Sequence, residues 1–203
     1  MVTVTAPVAK TYEPKDCKDI YSMVNARQIT ALMFHDEMAD MFDFLGLRGF
    51  KRMHEYQYFV ESAEHRALKR YYLNHHGKLL PQNELEPLEV IPDDWVHYAR
   101  GDVTPAVRKQ AVQRAFDLYH KWERETKELY SECASHLLAW KKVADFNKIN
   151  SLIKDVDMEL KYLERLVLEL SSVDYDAAYI AMLQDRYHEK YKKKCEDIGI
   201  KIC

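Results

Sequence analysis

The sequence predicts an all-α protein built as a helical bundle. Its 203 residues include only 5 glycines and 6 prolines, so few positions force a turn. Between Asp16 and Cys195, apolar residues mostly recur every three or four positions and seldom alternate with polar ones. The length suffices for one sizeable core. We expect a tail at 1–14, a bundle at 15–171, and a C-terminal helix and tail at 172–203.

Two helices form the first predicted hairpin. The first spans about Asp16–Leu45 and ends at Gly46. The second spans about Gly49–His76, and Gly77 provides its stop. Because the turn between them is short, the two helices are expected to be antiparallel neighbours. The inward stripe predicted for the second helix consists of Met53, Tyr56, Val60, Ala63, Ala67 and Tyr71.

A long connection separates this hairpin from the remaining helices. Segment 77–103 contains three prolines and breaks the helical spacing. Thr104 followed by Pro105 predicts a helix start, because both residues are favoured in the first turn. A connection of this length can cross the bundle, so the four main helices should run up, down, down and up. The remaining helices are predicted at 105–142, 148–170 and 174–196, the last being more polar.

Charge and cysteine usage exclude several classes of protein. The formal charge is −3 with both signs mixed, which gives no basic field for a nucleic-acid partner. No apolar run is long enough for a signal peptide or a membrane span. The four cysteines form no Cys-x-x-Cys pair, which argues against an iron–sulfur or structural zinc module. We therefore expect reduced thiols, a cytoplasmic protein and no membrane or nucleic-acid partner.

The second helix carries the most informative polar residues. Glu61, Glu64 and His65 lie on a helix that is otherwise rich in apolar residues. Carboxylate and imidazole groups that face the inside of a bundle commonly bind metal ions. The three residues border the predicted stripe, so a solvated flank is the alternative. The adjacent His75 and His76 should point apart on a helix, which predicts a poor chelate.

Several segments, taken in order, resemble ferritins. They are NARQITALMF in the first helix, FLGLRGF and EYQYFVESAEHRALKRYY in the second, IPDDW before the third and VADF before the fourth. The resemblance covers roughly residues 20–170. It implies a ferritin-like four-helix bundle with a long crossover between helices two and three and an extra C-terminal helix. It also implies a homo-oligomer and a two-metal centre that oxidises ferrous iron.

The resemblance also assigns candidate ligands on helices two and three. Glu61 occupies the position of the bridging glutamate of the family's second helix. Glu64 stands where ferritins carry histidine, and His65 follows it. On the third helix the family's glutamate aligns with His120, and Glu123 lies one turn away.

The first helix departs from the family pattern. Its expected glutamate aligns with Leu32 or, under a second alignment, with Gln28, and neither is a carboxylate. His35 lies one turn from Leu32, and the fourth helix offers Asp155 and Glu159. The implied ligands have mixed oxygen and nitrogen donors that suit iron, with manganese or zinc as alternatives. The full candidate set is Glu61, Glu64, His65, His120, Asp155, Glu159 and His35.

Two functions from different classes follow. An intact site would make the protein a ferroxidase-type oxidoreductase. The missing first-helix carboxylate instead favours a metal-free ferritin-like bundle that acts as a protein-interaction or scaffold module. Ion pairs with neighbouring lysine or arginine residues would then explain Asp155 and Glu159. The fifth helix is longer and more charged than the short terminal helix of ferritins, which argues against an ordinary cage.

Overall fold

The computed structural model describes residues 13–80, 88–91 and 99–199. The described residues form helices and connections, with no strand. A 3-10 turn, Arg100–Asp102, precedes the third helix. None of the described helices is apolar enough over a sufficient length to cross a membrane. The helices are α1 Cys17–Phe44, α2 Arg48–His76, α3 Pro105–Ala139, α4 Val143–Ser172 and α5 Ala177–Asp197.

Side-chain contacts fix the directions of the four main helices. His35 of α1 contacts His54 of α2, whereas Tyr21 contacts Tyr72, so α1 and α2 are antiparallel. The helix pairs α1–α3 and α3–α4 are antiparallel as well. The bundle therefore runs up, down, down and up, as predicted. The contacts that show the last two directions are Phe34–Tyr119, Arg27–Thr126, His120–Glu164 and Lys127–Asp157.

Local signals in the sequence set most helix ends. The Thr104 hydroxyl accepts a hydrogen bond from the Val107 amide at the start of α3, with Pro105 in the first turn. Gly77 ends α2 at φ 64°, a conformation that glycine adopts without strain. The break predicted between 144 and 147 lies a few residues earlier: α3 ends at Ala139 and α4 begins at Val143, so the chain reverses within three residues, with Lys141 at φ 58°.

The fifth helix packs along the bundle as a fifth member. The side-chain oxygen of Gln184 accepts hydrogen bonds from the backbone amides of Gly49 and Phe50, at 2.7 and 3.0 Å. A Cβ atom on Gly49 would lie 2.2 Å from the Gln184 carbonyl oxygen, so only glycine permits this approach. On its other side Arg186 lies 3.2 Å from Glu169 of α4. Helix α5 thus contacts both α2 and α4.

The apolar core consists of two clusters at opposite ends of the bundle. One lies near the α1–α2 turn and includes Phe42, Phe50 and Phe116. The other lies at the far end and includes Leu68 and Leu137. Many of the polar and charged side chains inside the bundle lie between the two clusters. The candidate site is in this middle region.

Candidate metal centre

The inner face of α2 differs from the predicted stripe by about one residue. Ala63 and Ala67, predicted to face inward, are exposed. Leu68 is instead fully buried, and Glu61 and Glu64 are only partly exposed. A helix buries positions three and four residues apart, so a face that includes Glu61, Glu64 and Leu68 is continuous. The glutamates are part of the inward face of α2.

Four glutamates from three helices meet in the middle of the bundle, and we call them the carboxylate layer. They are Glu61 and Glu64 on α2, Glu123 on α3 and Glu159 on α4. Glu123 is only 2% exposed. The Gln57 amide donates hydrogen bonds to Glu159 and, at 3.2 Å, to the Tyr119 hydroxyl. These contacts bring α2, α3 and α4 together at one level.

The carboxylate layer concentrates negative charge. Burial, followed by the charge of Glu159, raises the pKa of both Glu61 and Glu123 well above the ordinary value. Burial raises the pKa of Glu64 to about 7, with Asp155 as a second cause. Burial likewise raises the pKa of Glu159 to about 7, against the hydrogen bond from Gln57. Like charges that share a buried site favour either protons or a bound cation.

Helix α1 contributes a buried arginine, Arg27, next to Gln28. The Arg27 guanidinium lies 3.3 Å from the centroid of the Trp122 ring. It donates hydrogen bonds to the Thr126 hydroxyl at 2.8 Å and to the Trp122 carbonyl at 2.9 Å. Its positive charge lowers the pKa of Glu123 and so offsets part of the effect of burial. Arg27 is the internal counter-charge of the layer.

Gln28, the next residue on α1, is level with the carboxylates. His35 faces His54, and two helical turns along each antiparallel helix bring Gln28 level with Glu61. Gln28 is 1% exposed, and neither atom of its amide group finds a hydrogen-bond partner among the described residues. A buried amide without partners is costly. Its oxygen can act as a ligand for a hard cation, so α1 supplies one neutral donor.

A cavity connects the carboxylate layer with the surface. It has a volume of about 310 Å³ and lies between α2, α4 and α5. Glu64, Asp155 and Glu159 line one side, and Lys190 and Lys194 of α5 line the other. Helix α5 therefore forms one wall of the path by which a cation or a small oxidant would reach the layer.

The structure brings some of the other predicted ligands close to the layer. Asp155 is exposed at the rim of the cavity. His65 is partly buried, and its Nε2 atom has no hydrogen-bond partner in the described residues. Burial lowers the pKa of His65, and Lys69 and Arg66 add to the effect.

Two predicted histidines lie elsewhere. His120 has its nearest acidic partner at the surface, where its Nε2 atom is 3.8 Å from Glu164 of α4. His35 is fully buried beside His54, with 2.9 Å between their Nδ1 atoms, and both rings contact Tyr119. Burial lowers the pKa of both histidines, that of His35 to about 3. We call His35 and His54 the histidine pair; it is two helical turns from the carboxylate layer.

The sequence analysis did not assign Glu123 or Arg27 to the site. Glu123 was noted only as a neighbour of His120, because the alignment placed the third-helix ligand there. A signal for Glu123 was present, since it lies four residues after Tyr119 and three before Thr126 on the predicted inner face. For Arg27 no comparable signal exists, because its contacts with Trp122 and Thr126 are made to another helix, α3.

The donor set of the layer fits hard divalent cations, but the ligands have not converged. Carboxylate and amide oxygens suit ferrous iron, manganese and magnesium. In the described residues, the set of three ligand side chains whose donor atoms lie within 4.8 Å of one another is instead His75, His76 and Asp145. The expectation that His75 and His76 form a poor chelate is therefore wrong for the geometry. The carboxylates would have to move inward to share an ion.

Comparisons with known proteins identify the fold. No family model matches the chain, and no curated protein matches it. An engineered closed form of the Archaeoglobus fulgidus ferritin aligns with a TM-score of 0.71 and 16% identity, over 87% of this chain and 97% of that one. The open-pore ferritin of the same archaeon has a TM-score of 0.71 and 15% identity, over 86% and 96%.

A third solved structure supports the same conclusion. An iron-soaked variant of the ferritin PmFTN aligns with a TM-score of 0.64 and 10% identity, over 82% of this chain and 96% of that one. The identities are low, so the similarity concerns the path of the chain. This protein has the ferritin-like fold, an all-α bundle with a long crossover and an additional C-terminal helix.

Proposed function

We propose that this protein binds ferrous iron at the carboxylate layer and oxidises it. The observation that carries the proposal is the meeting of Glu61, Glu64, Glu123 and Glu159 between two apolar clusters, where their ionised forms repel one another. Ferritin-like di-iron proteins use glutamates from facing helices in this way. Two ferrous ions are the substrate, and each gives one electron to dioxygen, which is reduced to peroxide.

The side chains of the layer have separate tasks in this proposal. Glu61, Glu123 and Glu159 release their protons when iron enters, and their oxygens then hold the ions. The Gln57 amide orients Glu159, and Arg27 offsets one negative charge. Glu64 and Asp155, on the cavity wall, attract the incoming cation. A bound divalent cation would remove the repulsion that keeps the carboxylates apart.

Iron oxidation by a matched pair of variants tests the proposal. Glu61→Gln/Glu159→Gln keeps the size of both side chains but removes two negative charges. We expect its rate of ferrous oxidation, followed by ferric absorbance, to fall by roughly a hundredfold or more. Glu164→Gln is the control, since this glutamate is an exposed residue of α4 whose partner is His120. Equal oxidation rates in the double variant and wild type would contradict the proposal.

A titration without oxygen addresses the choice of metal. Iron, manganese and zinc are added separately to metal-free protein, and the bound metal is measured. We propose iron as the substrate because ferrous iron can give an electron to dioxygen; by the usual order of affinities manganese should bind the layer more weakly than iron, and zinc should compete with iron for the same oxygens. If Glu61→Gln/Glu159→Gln still binds zinc more tightly than iron, the zinc is held by residues outside the carboxylate layer.

Arg27 supports a second candidate, a metal-free bundle that serves as a scaffold. The permanent positive charge of Arg27 on α1 can balance part of the negative charge of the carboxylate layer without a metal ion. Absence of metal binding by wild type, together with a folded Glu61→Gln/Glu159→Gln variant, would favour this alternative over oxidation.

We also propose a homo-oligomer in a reducing, cytoplasmic compartment. Met33 of α1 and Phe59 of α2 are 43% and 37% exposed, which supports an interface formed by the first hairpin. In the described part of the chain, Cys17, Cys133 and Cys195 are free thiols. Light scattering of wild type and a Met33→Lys/Phe59→Lys variant tests the interface, and equal masses would contradict it.

A further inference from the structure

A second group of ligand side chains lies at the opposite end of the bundle from the α1–α2 turn. It combines His75 and His76 in the last turn of α2 with Asp145 in the first turn of α4. The Nε2 atoms of His75 and His76 lie 4.0 and 2.9 Å from Asp145 Oδ1. About fifteen residues of helix separate this group from Glu61, a distance of roughly 22 Å. It is therefore independent of the carboxylate layer.

The spacing of the donor atoms fits a single small metal ion. Metal bonds of 2.0–2.1 Å in a tetrahedron place neighbouring ligand atoms about 3.3 Å apart. The two distances to Asp145 lie on either side of this value, and all three donor atoms lie within 4.8 Å of one another. In the middle of a helix the side chains of adjacent residues point apart. His75 and His76 lie in the last turn of α2, and their rings approach the Asp145 carboxylate from two sides. The rings are perpendicular, with centroids 4.9 Å apart.

Surrounding side chains hold the three ligands in place. The Tyr21 hydroxyl donates a hydrogen bond of 2.9 Å to Asp145 Oδ1. The Tyr71 ring stacks on His75 with a centroid distance of 5.3 Å, and Tyr72 lies 4.7 Å from His76. Asp145 is only 2% exposed. A hydrogen-bonded carboxylate and two supported imidazoles are the surroundings that metal ligands require.

The exposed side of the group borders a cavity. The cavity has a volume of about 420 Å³, and its lining includes Cys17, Tyr72, His76 and Lys142. A coordination position without a protein ligand could therefore be filled by water. The Cys17 thiol donates a hydrogen bond to Asp145 Oδ2 at 3.9 Å.

We propose that His75, His76 and Asp145 form a second metal site, which binds one divalent transition-metal ion of the zinc or ferrous type. Two imidazoles and one carboxylate with an open position are the donor set of such ions. The simpler reading is a hydrogen bond between His76 and Asp145 with no metal, and the experiment separates the two.

Cobalt is the probe, because its visible absorption is strong in tetrahedral sites with histidine ligands. Cobalt is added to metal-free wild type and to Glu61→Gln/Glu159→Gln. We expect the intense tetrahedral spectrum in both proteins, saturating at one equivalent in Glu61→Gln/Glu159→Gln, where the layer no longer competes for cobalt, and displaced by zinc. His75→Gln and His76→Gln should weaken binding by roughly a hundredfold. His75→Gln is safe for folding, since this side chain is 44% exposed.

A histidine outside the proposed site serves as the control. His136→Gln removes a histidine from the last turn of α3 and should leave the spectrum unchanged. A spectrum that survives both His75→Gln and His76→Gln would overturn the proposal, as would the absence of any saturable signal in wild type. Loss of the signal in the glutamate double variant alone would assign cobalt to the carboxylate layer and overturn it as well. Because iron oxidation is not measured here, failure of the second site leaves the proposed ferroxidase function intact.

Discussion

The histidine pair and the carboxylate layer are neighbouring polar regions inside the same bundle, but their charges differ. His35 and His54 are neutral, since burial lowers the pKa of both, and their Nδ1 atoms pair with each other at 2.9 Å. Burial, followed by the charge of Glu159, instead raises the pKa of Glu61 and Glu123, and Arg27 is the buried cation that lowers the pKa of Glu123. The two histidines share a hydrogen bond and carry no charge, although His35 Nε2 has no hydrogen-bond partner in the described residues, whereas the layer needs protons or metal.

This difference separates a structural polar residue from a candidate ligand. A buried polar group with a partner of complementary hydrogen-bonding type can stabilise a fold. A group of like charges in the same surroundings costs stability, and proteins keep such groups where they act on something. By this criterion His35 has a structural role. It was predicted as a ligand because it lies one turn from the position where the resemblance expects one.

The largest expected effect concerns the histidine pair. His54→Ala would remove a fully buried ring that contacts Phe42 and Tyr119, and it would leave His35 without its partner. We expect the free energy of unfolding to fall by about 3–5 kcal/mol, measured by denaturant titration. His54→Phe keeps the ring volume and loses only the hydrogen bond, so it should cost less. Equal losses in both variants would argue that the hydrogen bond to His35 matters and the packing of the ring does not.

The second prediction concerns Arg27 and the layer. Arg27→Met keeps an apolar contact with Trp122 but removes the buried positive charge and two hydrogen bonds. In the presence of a chelator, unfolding should become easier by about 3 kcal/mol, because Glu123 loses its counter-charge. Adding Glu123→Gln should recover part of the loss. No recovery in this double-variant cycle would show that the two charges are not coupled.

The sequence was sufficient for the helices and their order. Thr104, Pro105 and Gly77 are local signals, and their effect is confined to the residues around them. The length of the crossover settled the up, down, down, up arrangement, because a segment that long can cross the bundle. The turn before α4 was predicted a few residues too late, since Lys141 adopts a positive φ that a lysine in the sequence does not indicate.

The apolar pattern of the sequence could not predict the inner face of α2 or the residues that contact the carboxylate layer. A stripe drawn through apolar residues avoids Glu61 and Glu64 and was therefore displaced onto Ala63 and Ala67, which are exposed. Small residues fit either face of a helix, whereas buried carboxylates contradict the pattern that defines the core. The pairing of Arg27 with α3 depends on three-dimensional packing, which periodicity along one helix does not contain.

The third prediction uses the opposite pH dependence of the two regions. The carboxylates have a folded-state pKa above the ordinary 4.5, to about 7 for Glu64 and Glu159, so their contribution is full below about pH 4.5 and is lost as the pH rises to about 7. His35 has a pKa lowered from 6.5 to about 3, so its contribution is full above about pH 6.5 and is lost as the pH falls.

Denaturant midpoints measured across this range in a chelator would show both trends. Glu61→Gln/Glu159→Gln should reduce the loss of stability towards neutral pH, by an amount on the order of 2 kcal/mol after solvent screening is allowed for, and Glu64 should account for part of what remains. The decline at acid pH should persist in that variant. Addition of ferrous iron without oxygen should restore wild-type stability at neutral pH, and an unchanged midpoint would argue that the layer does not bind it.

The smallest effect is expected at His120, a predicted ligand that lies at the surface and not inside the bundle. Its ring is 34% exposed and has an exposed glutamate, Glu164, 3.8 Å away, so neither burial nor repulsion acts on it as on the layer. His120→Gln should change the free energy of unfolding by less than about 0.5 kcal/mol and leave ferrous oxidation unchanged. Glu123→Gln, one turn further along α3, should slow oxidation strongly. A large loss of oxidation in His120→Gln would instead place the third-helix ligand where the family alignment put it, and Glu123 would then be a structural partner of Arg27.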